Sequence, residues 1–338
     1  MDETRSTFVP SAVEGQVTDS SQAPLDFARD ERNPASRTDL ALYVHWPFCV
    51  SKCPYCDFNS HVREQVDQDA WREALLADLA RAGVNRVSLG LQSLADEALH
   101  FLGRAHDVSE GLMALGTAQS VFDRVSFDLI YALPGQGADA WAAELARALA
   151  FGTGHLSLYQ LTIEPGTRFA AMAAKGELAP ADPDESAALY ELTQELTAAA
   201  GLPAYEISNH ARPGQESRHN LAYWRYGAYA GIGPGAHGRR GGVATRRHRK
   251  PENWLAALSR NRHGIVEEDV VAPPEQRIEA LLMGLRLAEG VPWSSEGLDL
   301  AAVDRLAAQG LLERTDDRLR VTPRGMLLLD GILAQIVR

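Results

Sequence analysis

From Leu40 onward, short apolar runs alternate with segments in which apolar residues recur every three or four positions. Leu42 to Trp46, Val87 to Gln92, Val125 to Leu133 and His155 to Ile163 carry the short runs and predict strands. Ala70 to Ala82, Leu94 to Leu102, Ser109 to Ser120, Ala138 to Ala150 and Pro183 to Ala199 carry the longer period and predict helices. Strand then helix, repeated, predicts an α/β fold: a parallel sheet with right-handed crossovers, open or curled into a barrel. Past Gly201 the pattern loosens into a region rich in Gly, Tyr and His that ends near Lys250. Helical periodicity returns from Pro273. The chain closes with a helix over Leu298 to Gly310, a polar turn at Thr315 to Asp317 between two apolar runs, and a last helix from Pro323. That order resembles a winged helix-turn-helix.

Composition narrows the function classes. Residues 1–38 mix Ser, Asp, Glu, Gln, Pro and Arg without period and predict a disordered tail, because they offer little burial against ordering entropy. The domain reading is then 39–250 for the strand-helix unit and 251–338 for a mostly helical C-terminal unit. No run approaches the roughly 20 apolar residues of a membrane span. The formal net charge of -12 argues against coating nucleic acid or an anionic membrane surface, leaving membrane contact to a partner. In the winged-helix-like segment Asp299, Asp304 and Arg305 nearly cancel, which favours packing or docking over nucleic-acid reading. Met1-Asp2-Glu3 lacks the basic start and apolar core of a signal peptide, so the expected compartment is the cytoplasm.

All three cysteines fall in one window, Cys49-Val-Ser-Lys-Cys53-Pro-Tyr-Cys56, just after the first predicted strand. Three thiolates at this spacing can hold three irons of a 4Fe-4S cluster and leave the fourth iron open to a substrate or cofactor. Zinc, with His45 or His61 as fourth ligand, is the competing reading of the same residues. The glycines of Gly231 to Gly238 give a weak phosphate-loop signal that backbone turns explain equally well. Arg239-Arg240 and Arg246 to Lys250 form one basic cluster suited to propionates or an acidic partner, or simply to solvent.

The run from Tyr43 through Cys56-Asp57-Phe58 resembles the radical S-adenosylmethionine (SAM) proteins of the HemN and HemW group. The resemblance continues through Gly90-Leu-Gln92-Ser93, Leu102-Gly-Arg104-Ala-His106, Asp128 to Gln136, His155 to Tyr159, Tyr205 to Asn209, His219 to Trp224 and Met283 to Leu287. It implies a parallel (β/α) radical-SAM barrel with a HemN-like C-terminal domain, a 4Fe-4S cluster on Cys49, Cys53 and Cys56, and SAM on the open iron. By motif match, Tyr43 and Tyr55 would flank the cluster and adenosyl group, and Gln92, Arg104 and Asp128 would contact SAM. Phe58 stands where the coproporphyrinogen dehydrogenases carry a further cysteine, and His219-Asn220-x-x-Tyr223-Trp224 is similar to the HemW motif implicated in holding haem. His219 is therefore the expected axial haem ligand, and a haem-accepting protein and an electron donor are the expected partners. An oxygen-independent coproporphyrinogen III oxidase, and a cluster-only or zinc protein without radical chemistry, are the alternatives.

Members of the group carry a glycine-rich segment and a further strand before the strand ending at Gln92. This chain runs directly from Trp71 to Ala80 into Arg81 to Val87. About two strand-helix units are missing, through an in-frame deletion or a mis-assembled reading frame. A shortened barrel with weakened or absent SAM binding is the expectation.

Overall fold

A computed structural model describes residues 53–56 and 86–338 with their side chains, and residues 10–15, 41–44, 48–49, 61–62 and 84–85 by backbone pairing alone. The predicted helix over Ala70 to Ala82 and most of the predicted tail lie outside the described residues.

Four short strands come first: β1 (Pro10–Gly15), β2 (Ala41–Val44), β3 (Phe48–Cys49) and β4 (His61–Val62). The repeat then runs β5 (Val84–Gln92), α1 (Asp96–Phe101), α2 (Val108–Val121), β6 (Arg124–Tyr131), α3 (Ala138–Ala150), β7 (His155–Gln160), α4 (Arg168–Ala174) and α5 (Pro183–Ala199). The loosely patterned region contains β8 (Asn209–Ala211), α6 (Arg218–Trp224), β9 (Tyr229–Ile232), β10 (His237–Arg240), β11 (Val243–Arg247), α7 (Pro251–Asn261) and β12 (Ile265–Val270). The C-terminal unit is α8 (Pro273–Gly284), β13 (Val291–Pro292), α9 (Leu300–Ala308), β14 (Leu312–Arg314), β15 (Arg318–Val321), α10 (Pro323–Met326) and α11 (Leu329–Ile336). Its helix, hairpin and final helices follow the winged-helix order, closed by a three-stranded sheet β13-β15-β14.

The first sheet has the order β1-β5-β6-β7-β8, with β5, β6 and β7 parallel and the two edge strands antiparallel. The second has the order β12-β11-β10-β9-β2, with β2 parallel to β9. Two expectations change. The strand predicted at Leu42 to Trp46 does not neighbour β5; it pairs with β9, because β1 and β6 already occupy the two edges of β5. Within the predicted tail, Pro10–Gly15 supplies that edge strand. The described strands thus form open sheets, α/β in class, rather than a closed barrel.

Period-two alternation gives the first sheet two different faces. Val125, Phe127, Leu129 and Tyr131 of β6 lie in the core with Leu89, Leu91, Leu156 and Leu158 of its neighbours. Helix α3 covers this face with Trp141, Leu145 and Ala148, all fully buried and spaced four and three residues apart. Asp107 and Glu110 close a capping box at the start of α2, whose Gly111, Leu115 and Ala118 face the same core.

The opposite, inner face is polar and nevertheless buried. Register places Ser88 beside Ser126 and Ser126 beside His155, while Asp128 neighbours Ser157 and Ser157 neighbours Asn209. All six are buried. Buried polar side chains persist where they are hydrogen-bonded, as here: Ser88 Oγ donates to Asp128 at 2.9 Å and Ser126 Oγ lies 2.7 Å from His155 Nδ1.

Candidate functional site

The cysteine loop docks at the C-terminal end of the parallel strands. Cys56 N donates to the Cys53 carbonyl at 3.1 Å, making a turn in which both thiols are half-buried. Phe169 N, at the start of α4, donates to the Pro54 carbonyl at 2.9 Å, and the Tyr55 ring packs 6.3 Å from the Phe169 ring. On the other side stands Gly103, with φ +67; a Cβ there would lie 2.6 Å from Pro54 Cδ. Only glycine permits both the left-handed backbone and this approach.

Arg104 follows at once. Its Nη1 lies 3.7 Å from Cys53 Sγ and its Nη2 donates to the Gly90 carbonyl at 3.1 Å. Its Nε is buried without a hydrogen-bond partner among the described residues. A Cβ added to Gly90 would lie 2.8 Å from Gln92 Nε2 and 3.6 Å from Arg104 Nη2, so the two predicted side chains converge over this glycine. Gln92 and Ala132, at the ends of adjacent strands, both take left-handed φ values of 71° and 57°. Non-glycine residues held there concentrate at functional sites. Burial pushes the Tyr55 phenol up, with Cys53 adding to the shift, so Tyr55 presents a neutral hydroxyl to this cluster.

The structure therefore brings Cys53, Tyr55, Cys56, Gln92 and Arg104 together. Asp128 sits deeper on the inner face, accepting from Ser88 Oγ at 2.9 Å rather than capping the site's rim. His219 belongs to a different group: its ring lies 4.8 Å from that of Tyr223, which lies 4.3 Å from that of Tyr229. Tyr43, Cys49, His45 and His61 have side chains outside the described residues. The donor set fits the expected groups. Soft sulfur beside a guanidinium that donates toward it suits a thiolate-held iron cluster, and the orphaned Arg104 Nε is a donor left for an anionic ligand. An imidazole bordered by aromatic rings likewise suits a flat macrocycle.

Ser88 escapes motif reading, and Ser157, Glu206 and Asn209 fall within motifs of the resemblance without being assigned a role there; for Ser88 and Ser157, a polar residue at every second position of an otherwise apolar strand is the signal. Glu206 receives a hydrogen bond from Asn209 Nδ2, and burial pushes its carboxyl up. The glycines of Gly231 to Gly238 serve the backbone: they span β9 and β10, where a Cβ on Gly231 would meet the His237 carbonyl oxygen at 1.9 Å. The basic cluster is partly neutralised. Arg239 stacks 3.4 Å over the Tyr226 ring and lies 3.7 Å from Glu279, and Arg246 pairs with Glu267.

Residues 271–328 match the family model of the HemN C-terminal domain. The mouse protein called radical S-adenosyl methionine domain-containing protein 1, mitochondrial, is 32% identical over 391 residues, spanning 90% of this chain and 88% of its own. The heme chaperone HemW of Escherichia coli is 31% identical over 377 residues, with 87% and 97% covered. That of Mycobacterium tuberculosis is 30% identical over 389 residues, with 94% and 99% covered. The chain belongs to the HemW family of radical SAM proteins. Coproporphyrinogen III oxidase (HemN) of Escherichia coli shares the fold, with a TM-score of 0.71 at 18% identity over 88% of this chain and 89% of that one. Each HemW-family alignment above is longer than the 338 residues of this chain while using at most 94% of it. The relatives therefore carry several dozen residues with no counterpart here, and this member of the HemW family is internally shortened.

Proposed function

We propose that this chain is a haem chaperone of the HemW type, holding a 4Fe-4S cluster on Cys49, Cys53 and Cys56 and haem at His219, with SAM binding weakened by the missing segment. The observation that carries the reading is identity of 30 to 31% to heme chaperones over nearly their whole length. The docking of the cysteine loop on Gly103 and Arg104 supports the cluster part of it. When bound, the cluster supplies the electron that cleaves a sulfonium bond in radical SAM proteins. This chain's own part is to orient and enclose. Arg104 and Tyr55 hold the loop that bears the sulfurs, Gln92 and Asp128 offer an amide and a carboxylate to an adenosyl group, and the inner face excludes water. Tyr223 and Trp224 offer apolar faces to a porphyrin.

The remaining parts follow the same reading: a haem-accepting protein, an electron donor and a cytoplasmic setting. Among the described residues no helix is long and apolar enough to cross a membrane. The oxidase alternative is less favoured, since the likeness to HemN is one of fold and Phe58 replaces the further cysteine.

The test is electron paramagnetic resonance of the anaerobically reconstituted, dithionite-reduced protein with and without SAM, beside a haemin titration. A cluster signal indifferent to SAM together with stoichiometric haem binding is expected. A signal reshaped by SAM would show that the open iron is still reached. Absence of both cluster and haem would overturn the reading.

A further inference from the structure

We infer that Tyr205 and Asn220 are positioning residues that fix helix α6, and with it His219, against the first sheet. The inference rests on the reading of His219 as the haem ligand. Helix α6 is seven residues long and contains no fully buried side chain, so apolar packing alone does not set its orientation. Polar contacts do. Ser217 caps the helix by accepting from Asn220 N at 3.2 Å, and the Asn220 side chain reaches away, its Nδ2 donating to the Tyr205 hydroxyl at 3.2 Å. That hydroxyl lies 3.0 Å from His155 Nε2, and His155 Nδ1 lies 2.7 Å from Ser126 Oγ. His155 and Ser126 are register partners on β7 and β6, both buried in the rigid parallel sheet.

The direction of the chain follows from donor counting. Burial, reinforced by the charges of Arg86, His210 and Arg124, holds His155 well below the usual imidazole range, so it is neutral and carries one N–H. Asn220 donates to the phenol oxygen, which leaves the phenol hydrogen for Nε2 and puts the imidazole hydrogen on Nδ1, facing Ser126. The helix is thus joined through three hydrogen bonds to two neighbouring strands. Removing the Asn220 amide breaks the link and frees the helix to shift, and removing the Tyr205 hydroxyl in addition takes this partner from both Asn220 Nδ2 and His155 Nε2.

The test uses the full chain, with haemin titrated by the Soret band and the ferric ligand field read by paramagnetic resonance. H219A should abolish the imidazole signature. N220L and Y205F should keep the wild-type circular dichroism while weakening haem binding about tenfold and broadening that signature. N220D should restore both, because its carboxylate can accept the phenol hydrogen and the chain of donors simply reverses. A purely structural role for Asn220 would alter Tm without touching the ligand field or being rescued by N220D, and would overturn the inference. So would wild-type binding in N220L and Y205F beside an impaired H219A, which leaves the haem reading standing. An H219A protein with an unchanged signature overturns that reading and the inference with it. Should N220L not fold, the comparison of Y205F with N220D decides the matter.

Discussion

Arg104 places its Nη1 3.7 Å from the sulfur of Cys53, across 51 positions of sequence. The turn that makes this possible is Gly103, whose left-handed backbone brings the end of the first strand-helix unit against Pro54. G103A adds a methyl 2.6 Å from Pro54 Cδ and imposes a positive φ on alanine, together costing about 1 to 3 kcal/mol locally. The expected outcome is a folded protein that retains less than about half the wild-type iron and acid-labile sulfide after anaerobic reconstitution. Wild-type loading in G103A would show that the loop does not need this seat.

The covered face of the first sheet offers a stability test remote from the cysteines. Trp141 is fully buried, stacks on Tyr131 with ring centroids 4.7 Å apart, and donates from Nε1 to Thr193 Oγ1 at 2.8 Å. T193V keeps the shape and deletes the acceptor, so the buried indole N–H loses its partner. A destabilisation of about 1 to 3 kcal/mol is expected in urea unfolding. W141A, which removes the ring as well, should cost about 3 to 5 kcal/mol. A T193V protein as stable as wild type would mean that the indole finds another acceptor.

Legibility in the sequence follows how local each determinant is. Strands β6 and β7 and helices α3 and α5 are readable because alternation and three-four spacing lie within single segments, as in Val125, Phe127, Leu129 and Tyr131. The second sheet is not, since β9 to β12 are four to six residues long and β12 exposes five of its six residues, leaving no apolar period. The pairing of Tyr43 with Gly231 is equally hidden, being a contact between distant segments. Within the site the cysteine triplet stands out by composition, whereas Arg104 is found only through resemblance. The Asn220, Tyr205, His155 and Ser126 chain draws one residue from each of four segments; three of them fall in motifs of the resemblance, but the bonds that join them are contacts between distant segments and have no local signature.

Acid sensitivity follows from the buried imidazoles. His210 is wedged beneath α5, its Nδ1 2.9 Å from Thr197 Oγ1, and burial pushes its pKa down to about 4 from an ordinary value of 6.5. The unfolded chain therefore binds a proton at a pH where the folded chain does not, and stability rises with pH across that interval. His210 contributes fully above about pH 6.5 and loses its contribution as pH falls toward 4, a total of roughly 3 kcal/mol. His155, also depressed by burial, acts in the same direction. Glu206 opposes both: burial raises its pKa above 4.5, so its effect favours the folded state below the ordinary carboxyl range and is lost as pH rises from there through its raised value. Two imidazoles against one carboxyl predict a net fall in urea midpoint between pH 6.5 and 4. H210L should flatten that fall, since it removes the titrating group and leaves an apolar side chain in a dry site. An H210L midpoint that falls between pH 6.5 and 4 as steeply as wild type would mean that His210 does not carry this pH dependence.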